Sequence, residues 1–213
     1  MAIKLNAVTK LLFIGDSITD CDWRKDEEKI GQGYVRMVRD LLAARDPASA
    51  PIVINRGISG NRIPDLQKRW DRDVLELSPD VLSVFIGIND VWHGLAPDRV
   101  GCDIESYISG YREILAKTRM ALPHVRFVLC EPSVLWLEQF PGANDALLPY
   151  VKAVHDLAKE FAAGAVVGLH DAFERARSAR PDIAWTRDGV HPTSTGHALI
   201  ATKWLEAIGG GSR

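Results

Sequence analysis

Long hydrophobic runs are missing from this 213-residue chain. The apolar stretch nearest its start, Leu11-Leu12-Phe13-Ile14, is far shorter than a signal peptide's hydrophobic region, and no later stretch approaches the roughly 20 residues a membrane span needs. Cysteine is scarce as well. Cys21, Cys102 and Cys130 are odd in number and show no C-x-x-C spacing, which argues against a disulfide framework or a structural zinc site and fits free thiols in a cytoplasmic setting. Nor does one sign of charge prevail: 26 basic side chains face 28 acidic ones. That balance offers no basic stripe to neutralise a row of phosphates, so no nucleic acid partner is expected. The sequence has no H-E-x-x-H, and His93, His124, His155, His170 and His197 lack a metal-like partner at helical spacing, so no metal is expected and these histidines read as surface or packing residues. Asp16, Asp20, Asp22 and Asp26 match no EF-hand loop and read as loop charge. Gly31-Gln32-Gly33 opens like a dinucleotide fingerprint, but Arg36 stands at its third glycine and no strand precedes it, so no nucleotide cofactor is implied.

What remains is the composition of an ordinary globular protein, 46% hydrophobic. A chain of this length, once compact, removes about 70% of its unfolded surface from water, enough for one core, and no Pro/Ser linker or repeat divides it. A single domain over 1–213 is expected, its last residues, Gly209-Gly210-Gly211-Ser212-Arg213, forming a helix stop and flexible tail. Short apolar runs at 11–14, 52–54, 81–86, 126–130 and 165–169 read as buried strands. Between them, Tyr34/Val35/Val38/Leu41/Leu42, Leu66/Trp70/Val74/Leu77, Ile104/Tyr107/Ile108/Tyr111/Ile114/Leu115 and Val151/Val154/Leu157/Ala158/Phe161 keep helical spacing, and a last helix covers about 195–208. Strands joined by crossover helices pair in parallel, with helices on both faces. The expected fold is α/β, a three-layer α/β/α sandwich around a five-stranded parallel sheet. The irregular stretch 131–144 reads as a surface loop near the site.

In open parallel sheets ligands bind beyond the carboxyl ends of the strands, so the segments following each strand are where chemistry is sought. Gly15-Asp16-Ser17 follows the first strand, Gly57-Ile58-Ser59-Gly60-Asn61 the second and Gly87-Ile88-Asn89-Asp90 the third; Asp188-Gly189-Val190-His191-Pro192 precedes the last helix. A serine hydroxyl is a weak nucleophile at neutral pH and needs a base, commonly a histidine oriented by a carboxylate. Ser17, His191 and Asp188 can take those parts. Acyl transfer also places negative charge on a former carbonyl oxygen, which the backbone N–H groups of Ser17 and Gly60 and the side-chain amide of Asn89 can meet. The lack of a Cβ at Gly60 would let the main chain approach a ligand closely.

These four blocks, in this order, resemble those of the SGNH (GDSL) hydrolase superfamily, and the likeness runs from Leu11 to about Ile208. The resemblance implies a flavodoxin-like sandwich in which Ser17 is the nucleophile, Gly60 and Asn89 complete the oxyanion hole, and Asp188 and His191 supply orienter and base, with no cofactor. The closer wording Phe13-Ile14-Gly15-Asp16-Ser17-Ile18-Thr19-Asp20-Cys21, Arg69-Trp70 and Ile88-Asn89-Asp90-Val91-Trp92 is similar to cytoplasmic acetylxylan-esterase-like members. It implies a small acyl ester or acetylated oligosaccharide as the partner molecule. A lipolytic enzyme or acyl thioesterase of the same mechanism, a metal-dependent phosphoesterase and a non-catalytic binding module are the alternatives. Trp23, Trp92 and Trp185 lie close in sequence to the blocks and are candidates to stack on a sugar, while Trp70 and Trp204 sit on core stripes. Val134, Leu135, Trp136, Leu137 and Phe140 could line an acyl groove or face a neighbouring subunit, which leaves a homo-oligomer open. Thr19 replaces the second glycine of a G-x-S-x-G elbow, so a softer turn and a more open site are expected.

Overall fold

In a computed structural model that describes residues 2–95 and 99–209, β-type apolar runs become β1 (Lys10–Gly15), β2 (Ile52–Gly57), β3 (Val81–Phe85), β4 (Arg126–Cys130) and β5 (Ala165–Val167). Gly210 to Arg213, the expected tail, lie outside the described residues. All pairs are parallel and the order is β2-β1-β3-β4-β5, the doubly wound arrangement whose ligand crevice opens where the winding reverses beside β1. Register brings Gly15 opposite Gly57 and Phe85, Phe85 opposite Cys130, and Cys130 opposite Val167. Four strand ends and the β5 terminus thus share one edge, and the loops that follow them open on the same side. β3 is buried along its whole length, as its run of apolar residues requires in a sheet covered on both faces.

The covering helices are α2 (Tyr34–Arg45), α3 (Ile63–Trp70), α5 (Ile104–Ala121), α6 (Leu148–Glu160) and α8 (Ser194–Ile208), which answer the helical stripes of the sequence. Three shorter helices were not foreseen: α1 (Ser17–Asp20), α4 (Ile88–Leu95) and α7 (His170–Ala179). The first two begin inside the motif blocks, and α7 buries only His170, Ala172 and Phe173, too few positions to show a period. α3 continues into a wide π turn over Asp71–Leu75, closed by the Glu76 N–H donating to Asp71 O at 2.9 Å. Trp70 and Trp204 are buried as expected; Trp204 packs on Phe13 at 5.1 Å between ring centroids and donates its indole N–H to Ser83 Oγ at 3.0 Å, which satisfies the one hydroxyl on β3.

Two expectations are corrected. The stretch 131–144 is only partly a surface loop: Val134, Leu135 and Leu137 are buried and Trp136 and Phe140 pack against the core, while Glu138, Gln139, Pro141 and Gly142 are exposed. Its polar ends hold it there, Glu131 taking the His170 N–H at 3.0 Å and Asn144 Oδ1 taking the Leu135 N–H at 3.0 Å. Of the aspartates after β1, Asp22 is the exposed loop charge expected, but the other three are not. Asp16 is buried and caps α1, Asp20 accepts the Ser59 N–H at 2.9 Å, and Asp26 accepts the Ile30 and Gly31 N–H groups at 3.1 Å and pairs with Arg36 at 2.8 Å. Each ties a loop to its neighbour.

Candidate active site

β1 ends at Gly15, where a Cβ would stand 2.2 Å from Phe85 O, so only glycine lets the chain leave the sheet at that point. Asp16 then turns the chain into α1, its Oδ1 accepting the Ile18 N–H at 3.0 Å and its carbonyl accepting the Asp20 N–H at 2.8 Å. Ser17 therefore sits at the first helical position, where a backbone N–H has no partner within the helix. Its Oγ lies 3.0 Å from His191 Nε2. On the far side of the ring, Nδ1 donates to Asp188 Oδ2 at 2.7 Å, which fixes the tautomer and leaves Nε2 as the acceptor of the serine proton.

The loop carrying His191 is rigidly built. Asp188 Oδ1 accepts the Val190 and His191 N–H groups at 3.0 and 2.8 Å, Arg187 N–H donates to His191 O at 2.8 Å, and Thr186 bridges Pro192. Gly189 takes a φ of +85°, and a Cβ there would meet Trp136 O at 2.2 Å. Trp136 in turn donates its N–H to Gly189 O at 2.9 Å, so the 131–144 stretch is the floor on which the loop rests. Burial pushes the Asp188 carboxyl up, but hydrogen bonds from the His191 ring and from two backbone amides outweigh it and hold the group below the usual carboxylate range. It is therefore ionised wherever His191 needs an orienter.

The oxyanion donors expected from the sequence lie on the same edge. Gly60 has φ +79°, the left-handed region, and a Cβ there would meet nothing within 4 Å. Its conformation, rather than crowding from the chain, is what calls for glycine. Asn89, buried at the start of α4, donates one Nδ2 hydrogen to Asn61 O at 3.1 Å, which leaves the second for a ligand. Asn61 is itself held by Arg69, a guanidinium only 8% exposed. Its Nε donates to Asn61 Oδ1 at 2.8 Å, while its terminal nitrogens reach Arg56 O at 2.8 Å, Gly15 O at 3.1 Å and Asp73 Oδ2 at 2.8 Å. One buried arginine thus joins the ends of β1 and β2 to the Asn61–Asn89 contact. Burial alone would pull its proton affinity down, and the Asp73 carboxylate opposes that.

Asp16 and Asp90, each next in sequence to a site residue, are buried with one carboxyl oxygen lacking a partner among the described residues. Burial, aided at Asp16 by the neighbouring Asp90 charge, pushes both carboxyls up to about 7. His197, read from sequence as packing or surface, is a packing residue that also borders the site. It is buried on the inner stripe of α8 and accepts the Tyr34 N–H at Nδ1, 3.2 Å. Its Nε2 lies 3.5 Å from Cys21 Sγ, and both side chains border a cavity of about 210 Å³ beside Ser17 and His191. Its place on the stripe with Ile200, Ala201 and Trp204 was the available signal.

The tryptophans divide. Trp92 packs edge-on to His191 with centroids 5.8 Å apart. Trp23 donates its indole N–H to Gly57 O at 2.7 Å and carries the guanidinium carbons of Arg24 and Arg56 over its ring at 5.0 and 5.1 Å, so it serves the loop rather than presenting a free face. Trp185 donates to Arg180 O at 3.1 Å. A larger apolar groove of about 480 Å³, lined by Ile3, Leu5, Leu41, Leu42 and Ile208, lies at the carboxyl ends of α2 and α8, whose amino ends face the site. It cannot receive a chain attached at Ser17.

Residues 13–199 match the model of the GDSL-like Lipase/Acylhydrolase family. The chain is 33% identical to an acetylxylan esterase of Geobacillus stearothermophilus over 97% of both proteins, and 25% identical to the uncharacterised protein YpmR of Bacillus subtilis over 92% of this chain and 79% of that one. Among solved structures, a protein from Parabacteroides merdae classed with the GDSL-like lipases superposes with TM-score 0.89 at 35% identity, covering 98% of this chain and 99% of that one. The Geobacillus enzyme, Axe2, superposes with TM-score 0.86 at 32% identity over 97% of each chain. Solved variants of Axe2 described as catalytic mutants replace a serine, a histidine and an aspartate; another replaces the tryptophan immediately before that aspartate, where this chain has Arg187.

Proposed function

The chain belongs to the GDSL-like lipase/acylhydrolase family and is a serine carboxylesterase, and from that premise we propose that it removes acetyl groups from carbohydrate, with acetylated xylo-oligosaccharides as the leading substrates. The observation that carries the acyl-length part of this reading is the small volume of the cavity beside Ser17: about 210 Å³, bordered by Asp22, Gln32, Arg187 and His197 and also by Ile18, Cys21 and Pro192. A fatty chain gains about 0.8 kcal/mol for each CH₂ buried against apolar surface, and a cavity this small has room for few of them. Within 131–144, the remaining source of an acyl wall, Val134, Leu135 and Leu137 are buried in the core, and Trp136 and Phe140 pack against it. Likeness over nearly the whole chain to an acetylxylan esterase supports the carbohydrate part. Three free cysteines fit the cytoplasmic setting in which we place it.

In this reading Ser17 Oγ attacks the ester carbonyl as His191 Nε2 takes its proton. Asp188 steadies the imidazolium that results. The charge developing on the carbonyl oxygen is met by the N–H groups of Ser17 and Gly60 and by Asn89 Nδ2. The imidazolium then protonates the leaving alcohol, and water, activated by the same nitrogen, releases acetate from the acyl-enzyme. A panel of nitrophenyl esters and acetylated xylo-oligosaccharides, run on wild type and Ser17→Ala, tests the reading. We expect kcat/KM to fall from acetyl to butyryl and to vanish by octanoyl, at least about a 10³-fold loss in Ser17→Ala, and no effect of a chelator. A rise toward eight carbons would move the enzyme to the lipolytic branch, and rescue by added metal after chelation would restore the phosphoesterase reading.

A further inference from the structure

We propose that Arg187 makes this site selective for esters bearing a carboxylate on the part of the substrate that sits beside Ser17, an inference that rests on the esterase reading above. Arg187 is built into the catalytic loop: its own N–H donates to His191 O at 2.8 Å, and it precedes the orienting Asp188 directly. Its side chain borders the cavity shared by Ser17, His191, Cys21 and His197. A guanidinium carries five donors in a fixed fork matched to a carboxylate. Arg24 and Arg36, from the neighbouring nucleophile loop and α2, have found such partners in Asp20 at 2.9 Å and Asp26 at 2.8 Å. Among the described residues no carboxylate lies within ion-pair distance of Arg187. Asp22, the carboxylate that borders the same cavity, is instead held by Lys25 at 2.9 Å.

Of the other walls, Asp22 is a carboxylate already paired with Lys25 at 2.9 Å, and His197 does not compete for an anion. His197 is kept neutral, its proton affinity pushed down to about 4 by burial and then by the charges of Arg187 and His191. The catalytic aspartate and histidine of the Geobacillus esterase stand three positions apart, as Asp188 and His191 do here, and the residue before that aspartate is a neutral tryptophan there and the cationic Arg187 here. The cavity borders His191, from which the leaving oxygen takes its proton, so a uronic acid on the leaving sugar is one source of the carboxylate. The acyl half of a dicarboxylic monoester is the other.

Two pairs of esters distinguish these sources: acetylated xylobiose against its glucuronic-acid-bearing counterpart, and nitrophenyl acetate against nitrophenyl hemisuccinate. Wild type, Arg187→Gln and Arg187→Trp are compared by kcat/KM at low salt and at about 0.5 M NaCl, where the Debye length is only a few ångströms. The expected charged-to-neutral ratio in wild type is roughly fivefold to thirtyfold for one pair, the range between an exposed ion pair and a charge-assisted hydrogen bond. It falls to about one in Arg187→Gln and Arg187→Trp and shrinks in salt. A wild-type ratio at or below one for both pairs, or a preference that survives in Arg187→Gln, overturns the proposal. Absence of Ser17-dependent hydrolysis of all four esters would instead overturn the esterase reading on which it rests.

Discussion

Arg69 is the residue whose loss should separate stability from catalysis most clearly. The Arg69→Met variant keeps the apolar stem and removes the guanidinium. Breaking a buried ion pair by deleting one partner costs about 3–5 kcal/mol, because the remaining charge is stranded. Here the stranding is partial: Asp73 retains Arg72 at 2.8 and 3.0 Å, and Gly15 O retains the Ile58 N–H at 3.0 Å. What is lost outright are the bonds to Asn61 Oδ1 and Arg56 O, both at 2.8 Å, so the lower end, about 3 kcal/mol, applies. For a domain of this size each kcal/mol shifts Tm by about 2–4 °C, so thermal unfolding followed by circular dichroism should move down by roughly 6–12 °C. Catalysis should suffer separately. Asn61 O orients Asn89 Nδ2, and small displacements of a transition-state donor are costly, so kcat for nitrophenyl acetate should fall by about tenfold while KM changes little. Adding Asp73→Leu should recover much of the stability, since a buried pair exchanged for apolar residues is often neutral, yet leave kcat low. A single variant that melts within about 2 °C of wild type at full kcat would refute the reasoning.

Three further outcomes are predicted. Asn89→Ala should lower kcat by roughly 10²–10³ with a smaller change in KM, because its free Nδ2 hydrogen meets charge only in the transition state; a pure KM effect in steady-state kinetics would reassign it to ground-state binding. Asp188→Asn should lower kcat steeply while phosphonate labelling of Ser17 slows in parallel, since Nδ1 loses its anionic acceptor at 2.7 Å; unchanged labelling would show that the orienter is dispensable. Stability should decline as pH rises through about 6 to 8. Asp16 and Asp90, raised to about 7, hold protons in the folded state that the unfolded chain releases from about pH 4 upward, and this outweighs His197, whose depressed value works in the opposite sense only between about 4 and 6.5. Asp90→Asn should reduce that decline in Tm by about half, and a wild-type Tm that rises over this range would contradict the assignment.

Much of the site was legible because its signals are local. A run of apolar residues that ends in Gly15-Asp16-Ser17 marks both a strand and what leaves it, and the same holds at Gly57 and at Gly87. The helical stripes placed five crossing helices correctly. Legibility failed where meaning depends on what lies opposite. The apolar side chains of 131–144 have no period, and only the packed molecule shows them buried beneath Gly189. Trp23 looked free to stack until the neighbouring arginines were placed over its ring. Asp20 and Asp26 resembled solvated charge because their amide partners, Ser59 and the Ile30–Gly31 pair, are not written in their spacing.

The sequence by itself determined the order of the strands along the chain, the candidates for nucleophile, base and orienter, and the turn chemistry that presents them, because each depends on residue types within a few positions of one another. Only the tertiary structure decided that Ser17 and His191, 174 positions apart, stand 3.0 Å from each other, and that Asp16 and Asp90 hold protons near neutrality. Sheet register sets the first and burial the second. Both are properties of what surrounds a residue in space, to which distance along the chain is no guide.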